Sequence, residues 1–91
     1  MKEKTQPYEV GKKYFIRTVT HHYTGELVQV YEHELVLTDA AWIADDGRFQ
    51  SALETEEFKE VELFPKGKNV IIGRGAILDA TQIQKLPDKQ K

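Results

Sequence analysis

The sequence predicts a mainly β fold, a small and strongly bent five-stranded antiparallel barrel with one short helix and an extra hairpin. Apolar and polar residues alternate in short runs, as at Glu60-Val61-Glu62-Leu63, and a period of two belongs to a strand with one buried face. Glycines punctuate or follow such runs at Gly25, Gly73 and Gly75, where a strand bends sharply or admits a close neighbour. The runs also follow one another too closely for parallel crossovers, which need a dozen or more residues each.

Residues 12–22 are dense in aromatic and β-branched side chains, whose bulk at Cβ fits a pleated strand better than a helix. They form the first expected strand. Tyr23-Thr24-Gly25 signals a turn, and residues 26–31 and 34–43 read as two further strands joined tightly through Glu32-His33. Gly25 is the expected bend, with Leu27, Leu35 and Leu37 pointing inward together. Asp45-Asp46-Gly47 then breaks the pattern, and Phe49, Ala52 and Leu53 recur at helical spacing. The helix is expected to run about two turns, too short to persist without packing Phe49 and Leu53 on the barrel. Asp46 is its expected N-cap, and Thr55-Glu56-Glu57 its end. Residues 59–64 alternate as a half-buried strand, Pro65-Lys66-Gly67-Lys68-Asn69 is a turn, and residues 70–72 and 77–80 supply the last strands.

The organisation is one domain over residues 7–84 between two polar, lysine-rich tails, 1–6 and 85–91, both expected to fray. A chain of this size buries only about 60–65% of its unfolded surface, so assembly with copies of itself would add stability. Cysteine is absent, which excludes a disulfide framework and thiolate chemistry and makes the cytoplasm the expected location. Apolar runs such as Val70-Ile71-Ile72 are far shorter than the roughly 20 residues of a membrane helix, and residues 1–6 lack an apolar signal core, so no membrane partner is expected. The formal charge of −2 conceals an acidic body: residues 7–84 hold eight basic against thirteen acidic side chains. Such a body offers no broad phosphate-tracking surface, and any nucleic-acid contact would be focal or come from the basic ends.

No enzyme is expected, and no catalytic residue, cofactor or metal. The chain has one Ser, and Gly73-x-Gly75 lacks the third glycine and the following helix of a nucleotide-binding loop. His21 and His22 are adjacent, so on a strand they point to opposite faces and cannot both bind one metal within a subunit, and a zinc site drawing also on His33 is not expected. Asp45-Asp46 reads as a cap and solvated turn in preference to paired catalytic carboxylates. Tyr14, Phe15, Tyr23, Tyr31 and Trp42 read first as core or inter-subunit seam, with base stacking as the alternative. Arg74, set between glycines, either contacts a ligand or pairs with a carboxylate such as Asp79 or Asp39.

The segments Thr24-Gly25-Glu26-Leu27-Val28-Gln29-Val30, Leu35-Val36-Leu37-Thr38-Asp39-Ala40 and Ile71-Ile72-Gly73-Arg74-Gly75-Ala76-Ile77 together resemble the two-part signature of Sm-like (LSm-type) proteins. Gly25, Leu27, Leu35, Leu37 and Asp39 look like the first motif, a glycine and leucine before a tight loop and a Leu-x-Leu run ending in an acid. Arg74-Gly75 with Ile77 is similar to the second. The resemblance spans residues 12–80 and implies an Sm-like barrel whose insertion, residues 45–69, holds the helix and extra hairpin. It further implies a homo-oligomeric ring of about five to seven subunits built by pairing the last strands. Single-stranded RNA would be the ligand, bound at the inter-subunit loops near His33, Arg74 and Tyr31, with Gly25, Gly73 and Gly75 as structural turn residues. The chain departs from the family at Tyr31-Glu32-His33-Glu34, where an amide commonly stands in place of Glu34; an ionised carboxylate accepts hydrogen bonds but donates none. Gly25 to Leu35 is one residue shorter than the usual interval, and Ile77 follows Arg74-Gly75 one step early. The competing expectation is a non-enzymatic structural or protein-interaction module, an adaptor or phage assembly component, using the same oligomeric barrel and docking other proteins through the acidic insertion.

Overall fold

Short antiparallel strands let the first four segments pair in sequence order, while the fifth returns to the third and the sixth to the first. The computed structural model describes residues 6–91, so most of the expected N-terminal tail, residues 1–5, lies outside the described residues. The elements are β1 (Lys13–Thr18), β2 (His22–Val30), β3 (Glu34–Asp45), α1 (Phe49–Thr55), β4 (Glu60–Leu63), β5 (Val70–Gly73), a 3-10 turn (Arg74–Ala76) and β6 (Ile77–Ile83). All pairings are antiparallel within one sheet of order β4-β3-β2-β1-β6, with β5 also on β3. Among the described residues no helix is long and apolar enough to cross a membrane.

Six strands form in one sheet, and that sheet is open, not the closed five-stranded barrel expected. The extra hairpin is also absent as such, because β4 and β5 both pair with β3: β4 with residues 41–45 and β5 with residues 34–37. They act as one strand interrupted by residues 64–69, where Pro65 cannot donate to a ladder and Gly67 takes φ 81°.

The sheet bends where β3 carries an extra residue. Asp39 adopts φ 49°, and the β2–β3 register slips between Thr24 and Glu26. A short polar side chain tolerates this left-handed conformation, and the bulge reverses which residues face which side. Before it, Leu35 and Leu37 pack with Tyr14, Ile16, Leu27 and Ile72; after it, Ala41 and Ile43 pack with Phe15, Ala52, Phe58, Val61 and Ile83. Leu27, Leu35 and Leu37 are fully buried together, as the alternation predicts. β1 therefore buries both faces, Tyr14 and Ile16 toward one cluster and Phe15 toward the other.

Thr24 sits on β2 opposite Phe15 and is fully buried, yet its hydroxyl has no hydrogen-bond partner. An unsatisfied buried hydroxyl is costly while an apolar group of the same shape is not. Thr24→Val is expected to raise stability by about 1 kcal/mol, read as a higher urea midpoint; a lower midpoint would contradict it.

The helix begins two residues beyond the position its expected cap implies. Its N-cap is Arg48, which makes no side-chain capping bond. Asp46, the expected cap, instead lies 3.0 Å from His22 Nδ1, while the Asp45 carboxylate accepts from the Gly47 amide at 2.8 Å. Ala52 is the helix residue buried on the sheet; Leu53 packs beside it, and Phe49 remains 40% exposed beneath the Arg17 guanidinium, 4.4 Å from its ring centre. Arg17 also donates to Asp79, its cross-strand partner on β6, through Nε at 2.8 Å and through Nη2.

That hydrogen bond is the main reason the Asp79 carboxyl is held below its ordinary 3.8, against a smaller opposing effect of desolvation. A depressed folded-state value contributes stability that is complete above about pH 4 and fades as pH falls through the lowered value. Asp79→Asn is accordingly expected to show a smaller loss of thermal midpoint on acidification than wild type. An equal loss in both proteins would contradict the linkage.

Candidate functional site

The three residues singled out for ligand contact come together at one end of β3. Tyr31, Glu32 and His33 form the tight β2–β3 turn, closed by the Tyr31 amide donating to the Glu34 carbonyl at 2.8 Å. β5 runs antiparallel beside the start of β3 with Gly73 opposite Glu34, so the next residue, Arg74, arrives against that turn. Its amide donates to the His33 carbonyl at 2.9 Å, and its guanidinium Nη1 to the Tyr31 carbonyl at 2.9 Å. A long-range ladder thus unites residues far apart in the chain.

The guanidinium also lies 5.3 Å from the centre of the Tyr8 ring, within cation–π range. Tyr8 meets Tyr14 edge-on at 5.6 Å, and the Tyr14 hydroxyl accepts from the Glu9 amide at 3.0 Å. Burial pushes the Tyr14 hydroxyl above its ordinary 10.0, with Lys12 opposing. Tyr8 is the site residue that local pattern does not reveal, since it is a lone aromatic just after Pro7, outside any alternating run.

Neither carboxylate considered for Arg74 is its partner: Asp79 is engaged by Arg17, and among the described residues no carboxylate forms an ion pair with Arg74. Its charge is met by one carbonyl dipole and one π face, which leaves donors of its planar fork for a phosphate or a base edge. Tyr31 is 53% exposed beside it. The His33 ring, also exposed, places Nε2 3.7 Å from the Glu32 carboxylate. Glu34 is exposed as well, so the floor of the turn carries negative charge.

Gly25, Gly73 and Gly75, the glycines singled out in the sequence, divide into two kinds. A Cβ on Gly25 would stand 2.9 Å from Leu37 Cβ, so this position is glycine for lack of space. Gly73 caps the 3-10 turn at φ −68° and Gly75 lies within it; nothing stands within 4 Å of an added Cβ at either. They leave open surface on both sides of Arg74.

Two sheet borders complete the picture. β5 pairs on one side with β3 and β6 on one side with β1, and each has an outer edge without a ladder among the described residues. Each also presents a large apolar side chain, Ile71 at 69% and Leu78 at 66% exposure. Uncovered edges with apolar side chains favour pairing with another chain. No family model, no curated protein and no solved structure matches the chain.

Proposed function

We propose that the chain is a cytoplasmic, ring-forming Sm-like subunit, a bent barrel completed by assembly, that binds single-stranded RNA at Tyr31, His33 and Arg74. The observation that carries the RNA half is the Arg74 guanidinium, fixed to the Tyr31 carbonyl and over the Tyr8 ring without a carboxylate partner among the described residues, at a turn whose Tyr31 and His33 side chains are exposed. A planar cation beside rings suits an unstacked base and its phosphate. Assembly is supported by the bare outer edges of β5 and β6, linked by a single 3-10 turn and carrying Ile71 and Leu78. The acidic body confines the contact to this spot, so few counterions would be released and the salt dependence would be shallow.

Arg74→Ala is expected to weaken binding of short single-stranded RNAs by about tenfold or more, in line with the roughly 1–3 kcal/mol of a stacking contact. The thermal midpoint should be nearly unchanged. Fluorescence anisotropy at low salt checks this, and absence of binding by wild type removes the RNA half. Light scattering coupled to size exclusion checks assembly, with a mass of about five to seven chains expected and a monomer at micromolar concentration removing the ring. A nuclease-insensitive protein partner recovered in place of RNA would favour the adaptor alternative.

A further inference from the structure

The last eight residues of the sequence, Gln84-Lys85-Leu86-Pro87-Asp88-Lys89-Gln90-Lys91, have the composition of a solvated tail. They nevertheless run back along the outer edge of β4. Val61 and Lys91 exchange two backbone hydrogen bonds, amide to carbonyl in each direction, at 3.1 and 3.0 Å. The Leu63 amide donates to the Gln90 side-chain carbonyl. At the other end the Glu56 carboxylate accepts from the amides of Gln84 and Lys85, each at 2.9 Å. Glu57 receives Lys91 Nζ at 3.2 Å and Lys85 Nζ at 3.6 Å.

Glu56 occupies the position just past α1 at φ 59°, a left-handed conformation that glycine usually supplies at a helix end. A glutamate there makes sense through its carboxylate, which gathers the two amides of the returning segment. Between these anchors the segment is loosely seated. Leu86 and Pro87 are its only half-buried residues, and cavities of about 420 and 370 Å³ flank it, both lined by Leu86, Pro87 and Asp88. The attachments are backbone pairing to a sheet edge plus charge complementarity, the means by which sheet edges take up extended peptides.

We propose that the outer edge of β4, with Glu56 and Glu57 beside it, is a docking groove for an extended, lysine-bearing peptide, and that residues 84–91 are its resident, displaceable occupant. Competing peptides carry lysines that reach Glu57 and a small apolar segment between them. The groove is separate from the Arg74 site and independent of the RNA assignment. While occupied by its own segment it keeps the β4 edge from pairing indiscriminately.

The test uses the full chain with substitutions confined to the returning segment: Lys85→Glu, Leu86→Asp and Lys91→Glu together. The groove is left intact. A labelled synthetic peptide with the sequence of residues 84–91 is then titrated into this variant and into wild type. The variant should bind at least about tenfold more tightly, because in wild type the tethered segment competes at high effective concentration. The Val61 and Leu63 amides should exchange hydrogen faster in the variant and be protected again by added peptide. Adding Glu57→Lys should abolish binding. The proposal is overturned if the folded variant binds no peptide at low salt, or binds no better than wild type. It is equally overturned if the variant loses cooperative thermal unfolding, since residues 84–91 would then be an integral strand.

Discussion

Phe15→Ala is expected to destabilise the protein by about 3–5 kcal/mol, the loss typical of removing a buried phenylalanine and leaving a cavity. Phe15 is 1% exposed and faces the cluster between the sheet and α1. Its ring lies 5.1 Å from Phe58, 6.3 Å from Phe49 and 5.7 Å edge-on from His22. Ala52 is the only fully buried side chain the helix itself contributes, so Phe15 supplies much of the surface on which the helix rests. For a small domain whose total stability is about 5–15 kcal/mol, the loss is a large fraction of the whole. The thermal midpoint should fall by about 12 °C or more. Urea unfolding followed by circular dichroism reads the effect, and a loss below about 1 kcal/mol would contradict the packing of Phe15 between the sheet and α1.

Gly25→Ala is the second large effect, and it acts by crowding. The new methyl would lie 2.9 Å from Leu37 Cβ, 3.0 Å from Cδ1 and 3.3 Å from Cγ. Leu37 is fully buried, and its Cβ is fixed to the β3 backbone, so it cannot swing aside without moving the strand. Overpacking of this kind costs about 1–3 kcal/mol. The open surroundings of Gly73 and Gly75 predict that Gly73→Ala and Gly75→Ala change stability by no more than about 0.5 kcal/mol. Matching denaturation curves for Gly25→Ala and wild type would show that β2 and β3 do not approach so closely.

The two glycine types show how far local pattern reaches. Glycine inside an alternating run marks Gly25 as special, but only the β2–β3 ladder reveals that the reason is the Leu37 side chain. Alternation also assigns Leu27, Leu35 and Leu37 to one core, and the short β2–β3 turn at Glu32-His33 is legible from its flanking strands. The period fails at Asp39, because a single left-handed residue reverses the parity of everything after it on β3. Asp46 has the composition of a helix cap, yet His22 on β2 claims its carboxylate across the fold. Residues 84–91 carry no apolar periodicity because their pairing with β4 is made by backbone groups and lysines, which leave no signature in composition. At the candidate site, His33, Tyr31 and Arg74 were readable individually, whereas their juxtaposition depends on the β3–β5 register and Tyr8 on tertiary packing alone.

The flanking of β1 by β2 on one side and β6 on the other has a consequence for biosynthesis. Translation delivers the chain at about 5–20 residues per second, and of the six strands β1 emerges first while its second neighbour, β6, emerges last. Until Ile77–Ile83 leaves the ribosome, the nascent meander holds Phe15 and Ile16 on a strand with a naked border. Sequence-distant pairing of this kind slows folding, so the native sheet can be completed only once synthesis has passed Ile83.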